Sequence, residues 1–291
     1  MLKPTLFAFL LLMVSLIRAD YVINADKTDA DEDDAPVIAN IINGQAATLS
    51  EYPFIGQLYY SSDNKNFKFS CTASLINPNW LVTAAHCISD QNGNTINPIS
   101  YKVAVGRITL ATGADLNNLI QVIQITTFGF KSSPANDLAL LKLANPISNV
   151  TPIKVYPYII TNNLPLEVAG FGVTKSGSSV PSNILLKTSI GVSSSKNCSA
   201  YNDLWGNNSG PQFCTESYNG NDSCQGDSGG PIVAMVNSKR VIAGVTSFGM
   251  NKDSNSNVDC GENVIAYYTR VAYFLRSIAI VLGVSLESLY T

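Results

Sequence analysis

From residue 41 onward the chain alternates short apolar runs with clusters of Gly, Pro, Asn and Ser, and it almost nowhere sustains the 3.6-residue period of an amphipathic helix. The runs predict strands over residues 54–60, 67–76, 80–84, 102–107, 119–125 and 138–143. A second set falls over 166–169, 184–192, 231–236, 241–248 and 264–270. Between the sets, residues 146–163 carry Pro146, Pro152 and Pro157, which disfavour a central strand and suit an extended linker. Only residues 271–282 keep a helical pattern. The pattern therefore predicts an all-β protein of two β-barrels, about 41–145 and about 164–270, closed by one C-terminal helix over about 271–282. Roughly 250 residues suffice for two small cores.

The first 40 residues differ in kind. Residues 1–19 place Lys3 before an apolar run from Leu6 to Val14, extended by Leu16 and Ile17, and end on Ala19, which is the layout of a secretory signal peptide. The run is shorter than the roughly 20 residues that span a bilayer, so a membrane anchor is not expected. Residues 20–40 hold seven acids against the single base Lys27 and read as a solvated acidic propeptide. Of the 18 Lys and Arg and 21 Asp and Glu, 15 and 14 lie from residue 41 on, so the acidic balance belongs to the leader. A near-neutral chain with no basic cluster argues against nucleic acid as a partner. Six cysteines in an exported chain, with no Cys-x-x-Cys pair and one histidine, suggest disulfides rather than a metal site and leave their pairing open.

Candidate chemistry collects at three separated places. His86, the only histidine, sits in Thr83-Ala84-Ala85-His86-Cys87 just after a predicted strand, and imidazole is the side chain that supplies a base near neutral pH without a large perturbation. Asp137 heads the apolar run Leu138-Ala139-Leu140-Leu141, where a carboxylate becomes buried and needs a partner. Ser228 lies in Gly226-Asp227-Ser228-Gly229-Gly230-Pro231, whose glycines let the backbone turn tightly and aim N–H groups outward. The segment after it, 232–236, reads as a strand, which sets it apart from a strand-to-helix nucleophile elbow.

Taken together, Ile41-Ile42-Asn43-Gly44, Thr83-Ala84-Ala85-His86-Cys87, Asn136-Asp137-Leu138-Ala139-Leu140-Leu141 and Asp222-Ser223-Cys224-Gln225-Gly226-Asp227-Ser228-Gly229-Gly230-Pro231 resemble the chymotrypsin-like serine endopeptidases, trypsin branch. The resemblance runs from Ile41 to about Leu282. It implies two six-stranded antiparallel β-barrels with a C-terminal helix, and a peptidase domain filling 41–291. It also implies Ser228 as nucleophile, His86 as base then acid, Asp137 as the residue that orients the imidazole, and the N–H groups of Gly226 and Ser228 as oxyanion hole. The same likeness pairs Cys71 with Cys87, Cys198 with Cys214 and Cys224 with Cys260. It makes Ser247-Phe248-Gly249 the strand along which substrate pairs, with Phe248 where tryptophan is usual. Asp222 falls at the pocket floor and implies cleavage after Arg or Lys. Gly170-Phe171-Gly172 matches a Gly-Trp-Gly at the entry to the second barrel. Cleavage ahead of Ile41 would free an ammonium that pairs with Asp227, making the chain a zymogen.

Several positions depart from the family. Residues 250–259 form a longer loop than usual before Cys260 and are expected to overhang the pocket, and Ala266 replaces a pocket-wall glycine, narrowing the slot. Residues 92–124 lack the paired glutamates of the calcium loop, so no metal and no cofactor are expected. Sequons occur at Asn149, Asn197, Asn207 and Asn221, the last beside the pocket floor. Asn40, ahead of the cut, is a poor fit to a pocket floored by Asp222, so a separate activating protease is expected. The expected partners are protein or peptide substrates, protein protease inhibitors and that activator; the chain is expected to be secreted, extracellular and monomeric, without nucleic acid or membrane. The competing reading is a catalytically weak, protease-like binding protein.

Overall fold

The computed structural model describes residues 41–290 apart from Ser132, Tyr218 and Asp259, so the leader, the propeptide and Asn40 lie outside the described residues. Strands β1 (Gln45–Ala46), β2 (Ile55–Tyr60), β3 (Lys68–Asn77), β4 (Trp80–Thr83), β5 (Tyr101–Val105), β6 (Ile120–Thr127) and β7 (Ala139–Leu143) come first. Six of them close an antiparallel barrel in the order β2-β3-β4-β7-β6-β5. Ile55, Leu58, Leu75, Leu81, Val103 and Leu141 fill it, each fully buried. The apolar pattern that marked these strands is thus the barrel's filling.

The second barrel comprises β9 (Leu166–Gly170), β10 (Leu186–Ser193), β11 (Gln212–Glu216), β12 (Pro231–Val236), β13 (Lys239–Asn251) and β14 (Val264–Arg270). β9 pairs with both β10 and β12, which closes the ring β9-β10-β11-β14-β13-β12. Strand β11 is the one that the hydrophobic pattern did not reveal, because Gln212 and Thr215 are as buried as Phe213 and Cys214 and no clean alternation results. The β12–β13 hairpin turns through Asn237 and Ser238 at φ 48° and 62°, the primed turn that suits the twist of two antiparallel strands. The linker is fastened too: β8 (Lys154–Val155) runs parallel beside β13.

Each terminal segment is clamped to the other barrel. The first residues, grouped by sequence with the first barrel, attach to the second: Ile41 is buried in its core and β1 pairs with β10. A partly buried charge cluster holds the same arm, with Arg240 Nη2 3.0 Å from Glu51 and 2.8 Å from Glu167, while the guanidinium lies 4.7 Å from the Tyr52 ring centre. At the other end, the expected single helix is a 3-10 turn, Val271–Phe274, leading into α2 (Leu275–Leu282). A short α1 (Lys196–Tyr201) precedes it in the chain, capped by the Ser195 hydroxyl. Phe274 and Ile278 join the first barrel's core, and Phe128 meets Phe274 at 5.6 Å. The two barrels are thereby held together, with a seam between them.

Candidate active site

The seam collects the residues that the sequence singled out. His86 stands in the 3-10 turn Ala85–Ile88, immediately after β4, and the Cys71–Cys87 disulfide ties that turn back to β3. Asp137 follows the turn Pro134–Asn136 at the head of β7, which pairs with β4 and so brings the two side chains to the same end of the barrel. His86 Nδ1 lies 2.8 Å from Asp137 Oδ2, and the His86 backbone N–H donates to Oδ1, also at 2.8 Å. From the second barrel, Ser247 Oγ–H donates to Oδ2 at 2.6 Å and Thr269 Oγ–H to the Asp137 carbonyl at 2.8 Å. Asp137 is only 3% exposed, so each partner matters.

Electrostatics follows from this geometry. Burial alone would lift the Asp137 pKa, but the imidazolium and the hydrogen bonds from His86 and Ser247 outweigh it and hold the carboxyl below its ordinary range. For His86 burial works against the charged form, and the Asp137 carboxylate overcomes it, raising the imidazole above its ordinary 6.5. Nδ1–H is fixed on the carboxylate, which leaves Nε2 as the atom able to take a proton. The imidazole also stands near both sulfurs of the Cys71–Cys87 bridge; these are bonded to each other and so offer no thiolate to a metal.

The loop around Ser228 can be read peptide by peptide. The Gln225 carbonyl accepts from Val173 N–H at 2.7 Å, and the Gly226 carbonyl from Thr72 Oγ–H at 2.9 Å. The Asp227 N–H donates to the Cys224 carbonyl at 3.0 Å, while the Asp227 carbonyl accepts from Gly230 N–H at 2.8 Å. Thr72 N–H donates to the Ser228 carbonyl at 3.0 Å, and Gly229 N–H to the Thr246 carbonyl at 2.8 Å. Two N–H groups, those of Gly226 and Ser228, have no acceptor among the described residues, and they are the two that flank the serine's own turn. Gly226 sits at φ 94°, a conformation that an L side chain rarely adopts.

Gly229 is what lets the serine approach the histidine's strand. At φ +75° a Cβ there would fall 2.0 Å from Thr83 Oγ1 and 2.8 Å from Ala84 N, so any larger residue would push the loop off the first barrel. Ser228 therefore lies beside the stretch that carries His86, although its Oγ makes no hydrogen bond to the imidazole in this structure. Such bonds are often long before substrate is bound. Behind the loop, Asp227 is fully buried and accepts from Gly172 N–H at 2.7 Å and Cys224 N–H at 2.9 Å. Burial pushes its pKa up to about 7.

Asp222, 2% exposed, accepts from Ser223 N–H and Gly261 N–H, each at 2.9 Å, and Ile42 bridges to it from the amino-terminal arm. Ser223 Oγ lies 3.2 Å from the Tyr268 hydroxyl, and the Cys224–Cys260 disulfide joins the two segments just beyond. The third bridge, Cys198–Cys214, fastens α1 to β11. A bulge in the β13–β14 pairing falls at Ser247, turning its hydroxyl toward Asp137, a contact that the sequence did not indicate. Phe248 then stacks on Tyr267 at 4.8 Å, and Gly249 stands opposite Ala266.

These features match a known family. The family model described as Trypsin covers residues 41–278. The chain belongs to the trypsin family. Among solved structures it is similar to neuropsin, a serine protease expressed in the limbic system of mouse brain, with 23% identity over 83% of this chain and 100% of that one and a TM-score of 0.65. At that identity the likeness concerns the fold. Within this trypsin-family chain, Thr72, Thr269 and Val173 are the site residues that sequence reasoning passed over. Each acts on a partner far away in the chain, Thr72 on Gly226 across 154 residues. Among the described residues, no helix is long and apolar enough to cross a membrane.

Proposed function

We propose that the chain is a secreted serine endopeptidase, made as a zymogen, that cleaves peptide bonds after Arg or Lys. The observation that supports this most is the coincidence, at one seam, of the His86–Asp137 pair with the two unpaired N–H groups of Gly226 and Ser228. Ser228 Oγ attacks the scissile carbonyl and passes its proton to His86 Nε2, while Asp137 stabilises the imidazolium. The carbonyl oxygen becomes an oxyanion held by the Gly226 and Ser228 N–H groups, a contribution of about 3 kcal/mol per donor. His86 then protonates the leaving amine as the C–N bond breaks. Water, deprotonated by the same imidazole, releases the acyl group from Ser228. Because the base must be neutral, the rate rises with pH through the raised His86 pKa.

Specificity rests on Asp222, a buried carboxylate on the pocket floor that favours a guanidinium or ammonium. Activation rests on Asp227. The loop is set in this structure with an uncompensated carboxylate inside it, so what a cut before Ile41 supplies is the cation that lets Asp227 stay ionised there. The activator is a different protease, since Asn40 offers Asp222 no charge. Export is supported by the leader pattern of residues 1–19 and by three disulfides. The partners are protein or peptide substrates, protein inhibitors and the activator, with the enzyme acting as a monomer. The test is hydrolysis of an arginyl ester and its leucyl counterpart by protein beginning at Ile41, with Ser228→Ala as control. The arginyl ester is expected to turn over and the variant to lose at least about 10⁴-fold. Equal rates in the two proteins would leave only a binding role, and a preference for leucine would remove Asp222 from the floor.

A further inference from the structure

We infer that the lengthened strand β13 gives this protease a substrate-pairing edge two residues longer than the pocket wall requires, so that it reads an extended peptide through the fifth residue before the cut. This deepens the proposed peptidase function and rests on it. The β13–β14 ladder does not stop at Gly249 and Ala266; it continues through Met250 opposite Ile265 and Asn251 opposite Val264. The other edge is different. β12 accompanies β13 only as far as Val245 and β8 only along Val241 and Ile242, so the edge from Ser247 to Asn251 has no strand partner among the described residues. Residues 248–252 are all partly exposed.

Backbone parity says which groups face that open edge. Just past the ladder, Lys252 N–H donates to the Asn263 carbonyl at 2.8 Å, so residues 252 and 263 are a hydrogen-bonded pair. In an antiparallel ladder bonded and non-bonded pairs alternate, which makes Asn251 and Val264 a non-bonded pair. An independent contact agrees. Val264 turns its own backbone groups the other way, its carbonyl accepting from Ser217 N–H and its N–H donating to Ser217 Oγ, both at 3.0 Å. Asn251 therefore presents its N–H and carbonyl to the open edge, and by the same alternation so does Gly249. The Asn251 side chain is folded back, accepting from Asp253 N–H at 2.9 Å and from Asn263 Nδ2 at 3.3 Å. The strand end is thus ordered and its outward groups are free of its own side chain.

An unpaired edge beside a catalytic pair suits one occupant, an added antiparallel strand. Ser247, bonded to Asp137, lies level with the residue whose carbonyl is attacked. Gly249, two positions on, then exchanges both hydrogen bonds with the third residue before the cut, and Asn251 exchanges both with the fifth. The fourth residue turns its N–H away from the enzyme.

The experiment compares arginyl coumarin amides carrying three or five residues before the cut, using protein that begins at Ile41. Two added hydrogen bonds predict a gain in kcat/KM of about tenfold for the longer peptide. N-methylation at the fifth residue is expected to abolish that gain, whereas N-methylation at the fourth leaves it intact. In the Asn251→Pro protein, which lacks the outward N–H but suits an edge position, the gain should shrink while the rate on the short peptide stays within about twofold. Cleavage of both peptides at equal rates, or equal loss from N-methylation at the fourth and fifth residues, would overturn the extended edge and leave the protease standing. Failure to cleave either peptide would overturn both.

Discussion

Two buried carboxylates sit on the two sides of the seam, and they are provided for very differently. The Asp137 carboxylate has the imidazole and a backbone N–H from the first barrel and the Ser247 hydroxyl from the second, with the Thr269 hydroxyl on its backbone carbonyl, and its pKa lies below the ordinary range. Asp227 has two backbone N–H groups and no cation among the described residues, and its pKa is pushed up to about 7. Folding alone completes the first site. The second lacks a cation of its own, and the proposed activation by a cut before Ile41 rests on this difference. Gly170 and Gly172 underline how closely that loop is built, since a Cβ at either would fall 2.2 Å and 2.5 Å from the Asp227 carboxyl.

The largest effect that would break this contrast comes from Asp137. Asp137→Asn keeps the volume but reverses the hydrogen-bond polarity toward Nδ1, leaving the wrong tautomer facing Ser228. A fall in kcat of about 10⁴-fold is expected at neutral pH, because the imidazole can then no longer accept the serine proton at Nε2. Steady-state kinetics on an arginyl ester measures it, and a loss under about tenfold would mean that Asp137 merely packs.

Asp227 gives the next effect, on stability. Its folded pKa of about 7 exceeds the ordinary 3.8, so between those values the folded chain holds a proton that the unfolded chain has released. Stability of the uncut protein therefore declines as pH rises from about 4 to about 7, by up to about 4 kcal/mol. Thermal melts of the Ser228→Ala protein should show this slope before the cut and lose most of it after, once the Ile41 ammonium pairs with the carboxylate. Asp227→Asn should flatten the slope in the uncut form; an unchanged slope would assign the pH dependence elsewhere.

A smaller effect sharpens the comparison from the oxyanion side. Thr72 reaches from β3 to hold the Gly226 carbonyl with its hydroxyl and the Ser228 carbonyl with its N–H. Thr72→Val keeps the shape and the N–H but removes the hydroxyl, and a drop in kcat of about tenfold with KM unchanged is expected. Thr72→Ser should restore the rate. A rise in KM with kcat intact would place Thr72 in binding instead.

Much of this was legible in the sequence, for identifiable reasons. The first barrel's strands are apolar at nearly every inward position, so period and turn residues located all six, and the residue runs around His86, Asp137 and Ser228 carry their chemistry locally. What escaped depends on contacts between distant residues. Strand β11 is hidden because its buried Gln212 and Thr215 break the alternation. Two-residue strands such as β1 and β8 are too short to show any period. The Ser247 and Thr269 bonds to Asp137 span 110 and 132 residues, and no spacing rule reaches that far. The described part of the 250–259 loop shows a related limit, for its stem is an extension of β13 pinned by the Tyr201 hydroxyl on the Lys252 carbonyl at 2.7 Å.

The contrast between the two carboxylates is tested most directly by counting acyl-enzyme on the same protein before and after the cut at Ile41. Mixing an arginyl ester that acylates faster than it deacylates with each form, and reading the burst of released alcohol, gives the fraction of molecules whose Ser228 is competent. Close to one equivalent is expected from the form beginning at Ile41 and a few per cent or less from the uncut chain. Equal bursts from the two forms would contradict the contrast.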